Sequence, residues 1–216
     1  MKTSHRAAWL ACRPVVGTLV KAFAVLRVYG RDRVPRSGPV VVCFNHFHWL
    51  DPWAIGAASP RPLYYVAKQE AHDAPLIGSL LRVFGTLSVR RGESDREAVR
   101  LMRRVIHDRD VLGMFPEGTR QAREPGQAQP GAAMIAIQED VPVVCGAIHG
   151  TQDWRFGNFE PVSIAFGEPK RLSDLPRNSK GYRAGSLEIQ REIRRLWEFL
   201  VDVHELGRPD VATPPT

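Results

Sequence analysis

Asn45-His46-Phe47-His48-Trp49-Leu50-Asp51, directly behind the apolar run Val40-Val41-Val42-Cys43-Phe44, decides how this 216-residue chain is read. Five consecutive apolar residues followed by polar ones are expected to form a buried strand that delivers the next residues to its carboxyl end. The pattern recurs at Val111-Leu112-Gly113-Met114-Phe115, which runs into Pro116-Glu117-Gly118-Thr119-Arg120. One block holds a histidine and an aspartate five residues apart; the other turns sharply and offers a carboxylate, free backbone amides and a guanidinium. A base with its orienter and an anion clamp together outline a catalytic site.

Further strand-like runs lie at Leu63–Val66, Thr86–Arg90, Val143–Ile148 and Val162–Phe166. Helical patterns alternate with them. The first starts at Ser94, where Ser94-x-x-Glu97 reads as a capping box ahead of a stripe formed by Ala98, Leu101, Met102, Val105 and Ile106. A second spans Gly131–Glu139, and a third runs from about Ser186 to His204. This alternation predicts an α/β fold, a mixed sheet flanked by helices, in which ligands gather at the carboxyl ends of strands. Both blocks sit at such ends.

A length of 216 residues, 44% hydrophobic, suffices for one well-packed domain, expected over residues 31–206. The formal charge of +7 lies in the first fifty residues, where Lys2, Arg6, Arg13, Lys21, Arg27, Arg31, Arg33 and Arg36 face only Asp32. The rest of the chain is balanced, which speaks against a nucleic-acid groove. Basic residues beside an apolar stretch from Trp9 to Tyr29 point instead to an anionic membrane surface. That stretch is interrupted by charge too often to span a bilayer or serve as a secretory signal. Residues 1–30 are therefore read as an amphipathic membrane-docking helix, with a break at Pro14; a helix packed on the domain is the plainer reading. Cys12, Cys43 and Cys145 are scattered among apolar residues and imply a reducing, cytoplasmic setting. Residues 207–216 are expected to be a disordered tail.

Each motif has a structural reading beside the chemical one. Asp51-Pro52 suits the N-cap and first turn of a helix, yet a capping Asp51 can still accept a hydrogen bond from His46. A histidine whose tautomer is fixed by a carboxylate is the base half of a Ser-His-Asp arrangement. No serine elbow is present, which leaves room for an attacking hydroxyl supplied by the substrate. His46-x-His48 also suits a metal-dependent hydrolase, although no further ligand stands at metal-binding spacing. Phe115–Gly118 reads as a type II-like turn, which leaves Glu117 and Arg120 unassigned. Lys68 and Arg90-Arg91 fall at strand ends where cations can converge on a phosphate.

Taken together, these blocks resemble the glycerolipid acyltransferases of the 1-acylglycerol-3-phosphate acyltransferase type, from about Val28 to Phe166. Asn45-His46-x-x-x-x-Asp51 is similar to their N-H-x-x-x-x-D block, Gly85-x-x-x-x-x-Arg91 to the second and Phe115–Arg120 to F-P-E-G-T-R. Val141-Pro142-Val143-Val144 looks like the fourth. The resemblance implies a glycerol-3-phosphate acyltransferase-like fold and acyl transfer from acyl-CoA or acyl-carrier protein to a lysophospholipid hydroxyl, most often that of 1-acylglycerol-3-phosphate. It implies His46 as general base and Asp51 as its orienter. Arg91, Glu117, Gly118, Thr119 and Arg120, with Lys68 nearby, would bind the acceptor. No cofactor or metal and no acyl-enzyme is expected, and the setting is the cytoplasmic face of a membrane, held peripherally or monotopically. A non-catalytic module docking on anionic membranes is the alternative from another class. His48, Cys145 and Gln129-Pro130 depart from the family pattern.

Overall fold

A computed structural model describes residues 11, 14, 17–18, 25–68, 86–89 and 95–216. Among these, strands β1 (Arg27–Tyr29), β2 (Val40–Cys43), β3 (Leu63–Lys68), β4 (Leu87–Val89), β5 (Val111–Met114), β6 (Val143–His149) and β7 (Ser163–Lys170) form one sheet in the order β1-β7-β6-β2-β5-β3-β4. Strands β6, β2, β5, β3 and β4 run parallel to their neighbours in that order. β7 lies antiparallel to β6, and β1 parallel to β7. The sheet is thus mixed, as expected. β2 sits near its middle, in register with β5 through Cys43 and Met114 and with β6 through Cys43 and Cys145.

Helices cover both faces, which is why β2 reads as an unbroken apolar run rather than an alternating one. Val41 and Cys43 point to the side of α2 (Asp95–His107), α3 (Gly131–Glu139) and α4 (Ser179–Glu205). Val40, Val42 and Phe44 point to the side of α1 (Asp51–Ala58), where Ala54 and Ile55 are fully buried. Gly113 in β5 matters here: a Cβ on it would stand 2.5 Å from the Tyr65 ring, so only glycine lets that ring lie across the strand.

Several expectations are corrected. Arg27–Tyr29, assigned to the end of the N-terminal helix, is a strand, so a boundary at residue 30 would cut through the sheet. The rest of that docking helix lies outside the described residues apart from the helical positions Ala11, Pro14, Gly17 and Thr18. Among the described residues no helix is long and apolar enough to cross a membrane. α4 begins at Ser179, several residues early, because the Asn178 side chain accepts from the amides of Lys180 and Gly181. Residues 207–216 are not a disordered tail. Arg208 is buried, donating from Nε to Ser163 Oγ (3.1 Å) and from Nη2 to the Val162 carbonyl (2.9 Å). Tyr29 donates to the Pro209 carbonyl, and Arg33 to those of Pro214 and Pro215. Arginine forks satisfying carbonyls of a proline-rich segment hold it where periodicity gives no sign of order.

Candidate active site

The site begins where β2 ends. Phe44 still donates its amide to the Met114 carbonyl of β5, and then the chain leaves the sheet. Asn45 is fully buried and spans to β6: its Nδ2 donates to the Ile148 carbonyl and its Oδ1 accepts from the Ile148 amide, both at 2.9 Å. This reciprocal pair replaces the strand hydrogen bonds that β2 no longer makes. His46 is thereby fixed at the mouth of the sheet.

Four contacts orient His46. Its amide donates to Glu117 Oε2 (3.0 Å), and its carbonyl accepts from the Gln121 amide (2.7 Å). The imidazole stacks on Phe115, with ring centroids 4.2 Å apart at 22°. Nδ1 lies 2.8 Å from Asp51 Oδ2. That oxygen also accepts from the amides of Phe47 (2.6 Å) and His48 (2.8 Å), and Asp51 is fully buried. An ionised carboxylate surrounded by donors keeps Nδ1 protonated, which leaves the lone pair on Nε2. No described residue bonds Nε2, and the His46 side chain is 16% exposed. The imidazole is set up as a base.

Asp51 thus orients His46 but does not cap α1. Its carboxylate turns back to the amides of Phe47 and His48, the helix has no side-chain cap hydrogen bond, and the residue before it, Leu50, occupies the cap position. Phe115–Gly118 is also corrected: the Gly118 amide donates to the Phe115 carbonyl, but the positive φ (71°) falls on Gly118 at the fourth position. A type II turn requires it at the third, so this is a type I turn continued through a left-handed glycine.

Glu117 is held between two backbone segments. It is buried, and its second oxygen, Oε1, accepts from the Gly126 amide (2.8 Å). Burial raises its pKa, while the hydrogen bonds from Gly126 and His46 lower it. Each oxygen accepts from a backbone amide, which ties the carboxylate to the His46 loop. Gly118, Thr119 and Arg120 are exposed beside it. Arg120 is close enough to contribute to the lowered pKa of His48, whose largest cause is burial. Lys68 ends β3 in register with Val89, and nothing is described of its side chain; Arg91 lies outside the described residues.

The metal reading gains no support. His46 Nδ1 is held by Asp51, His48 Nδ1 accepts from the Leu50 amide (3.3 Å), and among the described residues no three metal-ligating side chains converge. Two features escaped the sequence. Tyr65 stacks on Phe115 (5.6 Å, 8°), extending the aromatic column under His46, and only Gly113 hints at it. His48 packs against Trp49 and Trp154, the latter from the loop after β6, which no motif marks.

A carboxylate-oriented histidine at the carboxyl end of a parallel strand in a mixed sheet fits an acyltransferase. The chain belongs to the Acyltransferase family, whose profile matches residues 25–149. It is 34% identical over 168 residues to a lyso-ornithine lipid O-acyltransferase of Pseudomonas aeruginosa, a match covering 76% of this chain and 61% of that one. A 1-acyl-sn-glycerol-3-phosphate acyltransferase of Bacillus subtilis is 24% identical over 166 residues, covering 76% of this chain and 83% of that protein. In fold it resembles the crystal structure of the 1-acyl-sn-glycerophosphate acyltransferase PlsC from Thermotoga maritima, with a TM-score of 0.61 at 20% identity, over 85% of this chain and 81% of the other. The protein is an acyltransferase of this lysophospholipid type.

Proposed function

We infer that the protein moves a fatty acyl chain from acyl-CoA or acyl-carrier protein to the free hydroxyl of a lysolipid, with 1-acylglycerol-3-phosphate as the leading acceptor. The observation that carries this reading is the His46–Asp51 pair, with Nδ1 bound, Nε2 bonded to no described residue and the side chain partly exposed. His46 Nε2 takes the acceptor's hydroxyl proton as its oxygen attacks the thioester carbonyl. A C–O bond forms, the tetrahedral adduct collapses with loss of the C–S bond, and the proton on His46 passes to the departing thiolate. Asp51 stabilises the imidazolium formed in between. Arg120 and Arg91, aided by Lys68, attract the phosphate of the acceptor. The residues ahead of β1 bind an anionic membrane on its cytoplasmic side, an assignment supported by the charge of Lys2, Arg6, Arg13 and Lys21.

The higher identity to a lyso-ornithine lipid acyltransferase favours that acceptor as a second reading. Incubation of the purified protein with mixed acyl-CoA and acyl-carrier protein donors and both lysolipids, read by lipid mass spectrometry, tests both. One diacylated product dominating, and vanishing with His46→Ala, is the expected result. Thioester cleavage at the same rate without any lysolipid would overturn the reading in favour of a hydrolase.

A further inference from the structure

We propose that the loop after β6 forms an aromatic wedge, in which Phe156 and Phe159, beside Trp49 and Trp154, insert into the headgroup–acyl boundary of an anionic bilayer and hold His46 at its surface. The proposal rests on the lysolipid acyl-transfer reading above and adds a membrane contact on the loops at the carboxyl end of the sheet.

Among the described residues the exposed large hydrophobic side chains are Val25, Trp49, Phe156, Phe159, Leu187, Leu206 and Val211. Five of them gather at one end of the sheet. Trp49 lies in the His46 loop, and Phe156 and Phe159 lie between β6 and the start of β7. Because β7 is antiparallel to β6, that start is at the carboxyl end of β2 and β6. Val25 precedes β1, which is parallel to β7, and so lies at the same end. Leu206 joins them, since Arg208, two residues on, bonds the carbonyls of Val25 and Val162. Phe156 is 82% exposed, Phe159 54% and Trp49 52%. Water-facing aromatics concentrated around a site that must receive an amphiphile suit a membrane interface.

The loop is built to present them. The Asn158 amide donates to the Arg155 carbonyl (3.1 Å), closing a turn over Phe156-Gly157 in which Gly157 takes φ 88°. Asn158 Oδ1 accepts from the amides of Arg155 and Glu160, and Nδ2 donates to the Asp153 carbonyl. Phe159 itself takes the left-handed region, at φ 51°, a conformation unfavourable for a bulky residue and maintained here by the braces. Trp154 anchors the base of the turn, edge-on to Trp49 at 5.9 Å. Around the patch Arg123 pairs with Asp153 (3.7 Å) and Glu124 with Arg194, while exposed Arg120 and Arg155 make no such ion pair among the described residues and favour anionic headgroups over neutral ones.

The full chain is mixed with phosphatidylcholine–phosphatidylglycerol vesicles containing brominated acyl chains. Phe156→Trp should gain fluorescence that these chains quench, while Leu187→Trp, on α4 at the far end, should gain none. Phe156→Ser/Phe159→Ser should bind the vesicles about tenfold or more weakly and lose turnover on lysolipid embedded in them. It should retain turnover on short-chain lysolipid dissolved as monomers. Absence of added quenching in Phe156→Trp, or undiminished vesicle binding by the double variant, overturns the wedge. So does loss of self-association in the double variant with vesicle binding intact, which would make the patch a protein contact. If the unaltered chain acylates neither acceptor yet Phe156→Trp is quenched, the acyl-transfer reading fails and the wedge stands.

Discussion

Replacing Asp51 with Asn separates the two services that one carboxylate performs. Asp51 Oδ2 accepts from His46 Nδ1 and from two backbone amides, at 2.6–2.8 Å, in a fully buried position. An Asn side chain can place its carbonyl oxygen there and keep all three bonds, but as neutral rather than charged ones. Hydrogen bonds to charged groups contribute about 1.5–3 kcal/mol and neutral ones about 1 kcal/mol, so the two amides together lose roughly 1–4 kcal/mol. The new NH2 would stand where Oδ1 accepts from no described residue, while burial of a neutral amide costs less than burial of a carboxylate. These opposing effects leave a net destabilisation of about 1–3 kcal/mol. Urea unfolding should show a lower midpoint with an unchanged slope. The imidazolium, however, loses its counter-charge, and turnover should fall by roughly 10²–10⁴-fold. Asp51→Ala leaves two buried amides unpaired and endangers the fold, so Asn is the informative change. A stable Asp51→Asn variant with near-normal turnover would show that the carboxylate only braces the loop.

His46→Ala should retain the fold and lose about 10²–10⁴-fold in rate, since the removed ring is partly exposed and the loop is held by its backbone; normal turnover in a folded variant ends the base assignment. Arg120→Ala should raise the acceptor's KM and leave the donor's nearly unchanged, with Lys restoring only part because it lacks the bidentate fork; a rise in the donor's KM instead would reassign the residue. His204, facing His149, Ser163 and Arg208, has its pKa lowered to about 4, first by burial. Its folded pKa lies below the unfolded value of about 6.5, so its contribution to stability is present above that pH and fades as pH falls towards 4. His204→Gln should therefore flatten the loss of urea midpoint between pH 7 and 4, and an unaltered slope would assign that loss to other groups. Cys43, its pKa pushed up to about 12 by burial, should resist thiol reagents until the chain is unfolded.

Strands buried on both faces were legible as continuous apolar runs, which is why β2, β5 and β6 fall where Val40, Val111 and Val143 begin them. β1 was not, because three residues carry no period and its existence depends on pairing with β7. The first turns of α4 were hidden by Gly181 and Gly185, poor helix formers whose lack of Cβ is needed to pack against Pro176 and Ala133. At the site, the His46–Asp51 spacing implied its pairing. The direction of the Glu117 carboxylate could not be read, since its partners, the amides of His46 and Gly126, are backbone groups that any residue type could supply. Backbone donors leave no signature in side-chain identity.

The grip on His46 also bears on how the protein comes to life. Its amide is bound by a residue 71 positions away, and Asn45 beside it by one 103 positions away. Contacts of such separation close only after the intervening chain has been ordered. Refolding should therefore restore helical signal first and turnover last. A ribosome-bound chain that has not yet emitted β6 lacks the partner of Asn45, and activity is expected only once synthesis has passed Ile148.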